Sequence, residues 1–141
     1  GEHGESQMVP WSAVTIGGKP LAQLRQERPD TYGALDLKAI AAAGKAGGWR
    51  IMEGKNCTEF GIGVSIAEVR AVFHDEDRIL PVSVLLEGQY GQHDVYASVP
   101  ARLNREGVAD IIELNLTQEE QAEFAASCKT MDENYRLALT L

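Results

Sequence analysis

The residues of this sequence best able to do chemistry open it, in the run Gly1-Glu2-His3-Gly4-Glu5-Ser6. Glycines two positions before and one after His3 place it on tight, exposed backbone, because a glycine admits positive φ and close approach of other groups. Imidazole gives or takes a proton near neutral pH, so His3 is the candidate acid–base group. A surface histidine in a turn carries the same pattern. His74, beside an acidic turn, and His93, in a polar loop, have no motif behind them and are expected to be exposed. Cys57 and Cys128 stand apart, with no C-x-x-C and no zinc-like spacing to histidine, so they read as free buried thiols. No metal site is expected. Taken alone, Thr58 reads as a helix N-cap and Ile62, one turn on, as core.

The elements that must hold these residues follow from pattern. Val14 to Leu21 places Gly17-Gly18 between two short extended runs, which predicts a hairpin. Arg25 to Gly33 is polar, with Pro29 and Gly33 as breakers, and reads as a loop. Asp36 is positioned to cap a helix over Leu37 to Glu53, softened by Gly44, Gly47 and Gly48 and stopped at Gly54. A second helix is predicted from Thr58 to His74 with one apolar stripe, Ile62, Ile66, Val69 and Phe73. Asp75 to Arg78 reads as a solvated turn. Ile79 to Leu86 reads as a buried strand, with Pro81 marking its start as an edge or entry point, and Glu87 to His93 as the loop after it. Asp94 to Arg102 alternates, with Val95, Ala97 and Val99 on one face, and turns at Asn104 to Gly107 into Val108 to Leu114. Thr117 to Glu120 is a capping box that starts a long amphipathic helix with Phe124, Cys128, Met131, Tyr135 and Leu139 on its apolar face. Helices and antiparallel hairpins segregate, so the class is α+β and contains no Rossmann sheet.

Composition bounds the function. The chain has 141 residues, 44% hydrophobic and 24% charged, which suits one ordinary globular domain. Its net charge of −8 and lack of a basic stripe argue against a nucleic-acid partner. No apolar run approaches the roughly 18 residues that span a bilayer, so the reading is a soluble cytoplasmic protein with no membrane partner. The chain opens on the histidine motif without an initiating methionine, and is therefore expected to be part of a longer or cleaved protein.

Six ordered blocks add a resemblance to these readings. Gly1 to Ser6, followed by Val9-Pro10-Trp11-Ser12, resembles the G-E-H-G-D-S segment of the L-lactate dehydrogenase family, with Glu5 where that family carries aspartate. Lys55 to Ser65 resembles its K-G-x-T-x-x-x-I-G-x-S. Pro81 to Gly91 is similar to P-V-S-T-L-L-E-G-x-Y-G, and Asp94 to Pro100 to D-V-x-x-S-V-P. Asn104 to Val108 resembles G-R-N-G-V, and Leu116 to Gln121 the L-S-x-E-E-Q helix start. The resemblance implies that residues 1–141 are the family's C-terminal substrate domain, a twisted antiparallel sheet flanked by long helices, with the N-terminal dinucleotide-binding domain missing. Gly61-Ile62-Gly63 lies in a predicted helix and is no phosphate loop.

The resemblance also implies a chemistry. An NAD-dependent L-lactate dehydrogenase reduces pyruvate to L-lactate, a reaction of glycolysis and fermentation. His3 would be the proton donor and acceptor. Thr58 would border the 2-oxo or 2-hydroxy acid, Ile62 would face the nicotinamide, and bulk at Phe60 would affect which substrate side chain fits. The aspartate that orients the imidazole and the arginines that clamp the substrate carboxylate would precede Gly1. Thr58 and the Ile62 to Ser65 run favour lactate over malate. Ser6 to Val9 and the Asn56-Cys57 pair also resemble the branched-chain L-2-hydroxyisocaproate dehydrogenases. The isolated chain is expected to be inactive, and the full-length protein a homo-oligomer, dimer or tetramer. A competing reading is a non-catalytic domain that supplies subunit contacts through its C-terminal helix and the Ile79 to Leu86 strand. The enzyme reading further expects the His3 ring to share a concavity with Thr58.

Overall fold

The computed structural model describes residues 1–141, the side chain of Ala71 excepted. Its architecture is α+β, as expected, and is built on one long hairpin. Strands β3 (Arg78–Glu87) and β4 (His93–Asn104) pair antiparallel from Arg78↔Leu103 to Glu87↔His93, and β5 (Gly107–Ile111) adds to the other side of β4. The β4–β5 turn is legible in local chemistry. Asn104 Oδ1 accepts from Glu106 N at 2.9 Å, and Gly107 takes φ +103°, a conformation that a side chain would strain. Alternation along β4 sends Val95, Ala97, Val99, Ala101 and Leu103 to one buried face. Helix α5 (Gln118–Ala138) lays Phe124 and Cys128 against that face, and the Tyr90 ring meets Phe124 at 4.8 Å between centroids. The predicted capping box forms: the Thr117 hydroxyl accepts from Glu120 N, and the Glu120 carboxylate from Thr117 N at 2.9 Å.

The N-terminal third wraps beside this core. A two-stranded ladder, β1 (Thr15–Ile16) and β2 (Lys19–Pro20), turns at Gly17 and Gly18 with φ +60° and +80°, as the Gly-Gly pair predicts. Then come α1 (Leu21–Glu27), α2 (Leu37–Lys45), α3 (Gly47–Lys55) and α4 (Phe60–His74). Asp36 caps α2 as predicted, accepting from Ala39 N at 3.0 Å.

Several expectations change. Arg25 to Gly33 is no loop: Arg25 lies in α1, and Pro29–Gly33 forms a wide helical turn. The Arg25 guanidinium donates to the carbonyls of Tyr32, Leu35 and Gly33 at 2.9–3.1 Å, closing that turn by a contact that no local pattern announces. The Leu37 to Glu53 helix is two helices broken at Ala46, and the second stops at Asn56, in the left-handed conformation at φ +65°, rather than at Gly54. Arg78 belongs to β3 rather than to the turn before it, and β5 ends at Ile111. Strand β3 is an edge strand, which accommodates Pro81, but it is half-buried and alternating: Ile79 and Leu85 face out while Val84 and Leu86 are buried. Ile62, Ile66, Val69 and Phe73 are exposed on α4, left uncovered by the described residues. The far end of the α5 stripe, Tyr135 and Leu139, is exposed too.

Candidate active site

His3 sits on a bend slung between β4 and α5. Gly1 makes an additional rung beside β4, its nitrogen donating to Ser98 O at 2.7 Å and its carbonyl accepting from Ser98 N at 3.0 Å. Glu2 N donates to Ser127 Oγ on α5 at 2.8 Å. The chain then turns tightly, Gln7 N donating to Gly4 O at 3.2 Å, and the Glu2 carboxylate accepts from both the hydroxyl and the N–H of Ser6. Those two bonds, the hydroxyl's the stronger influence, hold the Glu2 carboxyl below its ordinary range. Close approach explains Gly1: a Cβ there would lie 2.5 Å from Ser127 Oγ. Glu5 pairs with Lys45 at the end of α2 at 2.9 Å, an exposed pair that contributes little stability.

With its backbone held on both sides, His3 presents an exposed imidazole. It borders a concavity of about 590 Å³ lined also by Gln7, Met8 and Trp11 and by Ile40 and Gly44 of α2. That volume is the size of a small-molecule site. The following segment is anchored just as firmly. Ser12 N donates to the Glu120 carboxylate at 2.9 Å, and the Ser12 hydroxyl donates to it as well. Burial works to raise the Glu120 pKa, but donors from Ser12 and Thr117 outweigh it and leave the carboxyl below its ordinary range.

Thr58 stands exposed at the α3–α4 corner and lines a different concavity, with Ile51, Lys55, Glu59 and Phe60. The expectation that His3 and Thr58 share one concavity is therefore not met within this chain: the two residues line separate concavities, and that of Thr58 is bordered only by residues of α3, of α4 and of the corner between them. Ile62, read alone as core, is 57% exposed. Phe60 is 76% exposed, with the Lys55 ammonium 4.2 Å over its ring. Cys128 is buried as expected, whereas Cys57 is exposed and donates to the Glu59 carboxylate at 2.7 Å, which with slight desolvation raises its pKa. His74 and His93 are both exposed. Sequence reasoning missed Ser98 and Ser127. Ser98 lies in one of the resembling blocks, but nothing in local spacing connects Ser127 to the first residues.

Comparison with known proteins bears on the family and the fold. The pattern of the lactate/malate dehydrogenase alpha/beta C-terminal domain matches residues 1–140. L-lactate dehydrogenase 3 of Bacillus cereus is 45% identical over 128 residues, covering 90% of this chain and 40% of that protein. L-lactate dehydrogenase 1 of Staphylococcus aureus is 39% identical over 132 residues, 93% of this chain and 41% of its own length. Among solved structures, the ligand-bound minor L-lactate dehydrogenase of Enterococcus mundtii superposes with a TM-score of 0.87 at 35% identity, covering 94% of this chain and 42% of that one. The chain thus spans about 40% of the length of the curated relatives it matches.

Proposed function

The chain belongs to the lactate/malate dehydrogenase family, as its alpha/beta C-terminal domain, and from that premise we propose that residues 1–141 are the substrate-side half of an NAD-dependent L-2-hydroxy-acid oxidoreductase that interconverts pyruvate and L-lactate. The observation that carries this reading is the His3 bend, an exposed imidazole on backbone tied to β4 and α5 at the rim of a ligand-sized concavity. Its relatives in Bacillus cereus and Staphylococcus aureus are named L-lactate dehydrogenases.

The residues present suit the cofactor. Helix α4 begins at Phe60, not at Thr58 as the sequence suggested, so Thr58 precedes it rather than capping it; Thr58 and Ile62 leave a hydroxyl and an apolar side chain open to an acid and to a nicotinamide. Bound NADH supplies a hydride to the carbonyl carbon. His3, as imidazolium, donates the proton to the carbonyl oxygen and ends neutral; in lactate oxidation it takes that proton back. Thr58 and Phe60 line a separate concavity in this chain, so for Thr58 to border the same acid and Phe60 to bear on its side chain the α3–α4 corner must be brought toward His3 in the full-length protein. On this reading the carboxylate that bonds the imidazole and the arginines that clamp the acid come from outside residues 1–141. The same reading makes the protein cytoplasmic, a contributor to fermentation that returns NAD to glycolysis, and a homo-oligomer when full length. No helix among the described residues is long and apolar enough to cross a membrane.

The test uses the full-length protein that carries this chain. It is expected to oxidise NADH with pyruvate, and His3→Ala to lower kcat/KM by about 10²–10⁴. Activity of His3→Ala within about tenfold of the parent would remove the proton-transfer role. Residues 1–141 alone are expected to show no turnover. Comparing pyruvate with oxaloacetate and 2-oxoisocaproate separates lactate, malate and branched-chain chemistry. A full-length protein inactive on all three would favour the subunit-contact reading.

A further inference from the structure

Ser127 lies on α5 with a fully buried side chain, far in sequence from the bend it touches. Its hydroxyl contacts two groups: it accepts from Glu2 N at 2.8 Å and lies 3.1 Å from Ser6 Oγ. The direction of the second bond follows from counting hydrogens. The only hydroxyl hydrogen of Ser6 is committed to the Glu2 carboxylate, so Ser127 must be the donor to Ser6 Oγ. The bonds then close a ring: Glu2 N–H to Ser127, the Ser127 hydroxyl to Ser6, and the Ser6 hydroxyl back to Glu2. Ser6 N–H adds a second bond to the same carboxylate at 2.7 Å. Each hydroxyl both donates and accepts, the arrangement in which successive hydrogen bonds reinforce one another. The chain segment that the ring encloses is His3-Gly4-Glu5.

We propose that Ser127 is a positioning residue for His3, its hydroxyl closing a hydrogen-bonded ring with Glu2 and Ser6 that fixes where the imidazole points. This rests on the acid–base role of His3 proposed above. Ser127 touches no reacting atom. It acts through the Glu2 backbone next to His3, where a displacement of about 1 Å is enough to cost a hundredfold in rate. Ser6→Ala breaks the ring from the bend without altering the α5 core, so loss of folding in one variant does not leave the other silent. A ring gives its members a shared effect, so Ser127→Ala, Ser6→Ala and the double variant should cost nearly the same.

In the full-length protein, Ser127→Ala and Ser6→Ala are expected to lower kcat by about ten- to a hundredfold with KM for pyruvate within about threefold of the parent. Leu24→Ala, a buried position outside the site, should lower the melting temperature without that loss of kcat. With histidine labelled at Cε1, the His3 resonance should shift or broaden in both ring variants while those of His74 and His93 hold. A parent kcat, or an unmoved His3 resonance, in both ring variants overturns the inference. If the parent itself reduces no 2-oxo acid, the functional reading fails and the His3 resonance alone decides whether the ring positions the imidazole.

Discussion

Gly1 and Ser127 lie so close that neither has room to grow. A Cβ on Gly1 would sit 2.5 Å from Ser127 Oγ and 3.0 Å from its Cβ, and both belong to anchored backbone. Gly1→Ala is therefore expected to destabilise by about 1–3 kcal/mol, the usual penalty of overpacking. Removing the hydroxyl by Ser127→Ala should recover part of that loss, so thermal unfolding of the double variant would come out less than additive. Additive losses would mean that the two residues do not meet. At this scale His3 was legible in the sequence, because its chemistry belongs to the residue type and its neighbours are local. Ser127 was not, because a serine between Ala126 and Cys128 resembles any small residue of a helix. Its meaning comes from a bend 125 positions away. Cys57 was misread for a related reason: burial depends on what packs over a thiol, and Cys57 stands exposed among the described residues.

At the scale of elements, Glu120 joins two of them. It closes the first turn of α5 and also takes both donors of Ser12, in the segment that follows the His3 bend. Glu120 as a whole is 8% exposed, so losing these charged hydrogen bonds is expected to cost about 1.5–3 kcal/mol in Glu120→Ala. The pH dependence follows in sign. Because the folded pKa lies below the ordinary glutamate value, the contribution is fully present above that ordinary value and is lost as pH falls through the lower folded one. Acid titration of the melting temperature should thus show a loss in the parent that Glu120→Gln, already lacking the charge, does not share. Equal acid sensitivity would show that other carboxylates dominate. The capping box was readable from Thr117 and Glu120 because spacing alone defines it. The partnership with Ser12 was not, and neither was α1, whose following turn is closed by Arg25 through carbonyls up to ten residues away.

At the scale of the molecule, the helices that repeat one apolar residue after another are the ones this chain leaves bare. Phe60, Ile62, Val64, Ile66 and Phe73 of α4 and Trp49 of α3 are all exposed, whereas the inner face of β4 and the first half of α5 are closed tightly. The sequence displayed the apolar residues of α4 but could not say what covers them, since periodicity reports that a face is apolar and never what lies opposite. An apolar surface of this extent marks a contact region, and the relatives named above are more than twice as long as this chain. Residues 1–141 alone, a chain of 15.3 kDa, are accordingly expected to self-associate, sedimenting as a dimer or larger. Ile66→Glu, which puts a charge on a side chain 65% exposed, should return the chain to a monomer. Its effect on folding should be small, because no packed contact is removed. In the full-length protein the same substitution should weaken assembly while His3 keeps its resonance. A parent chain that sediments strictly as a monomer would mean that α4 does not sustain an interface between copies by itself and that its apolar surface serves the upstream half.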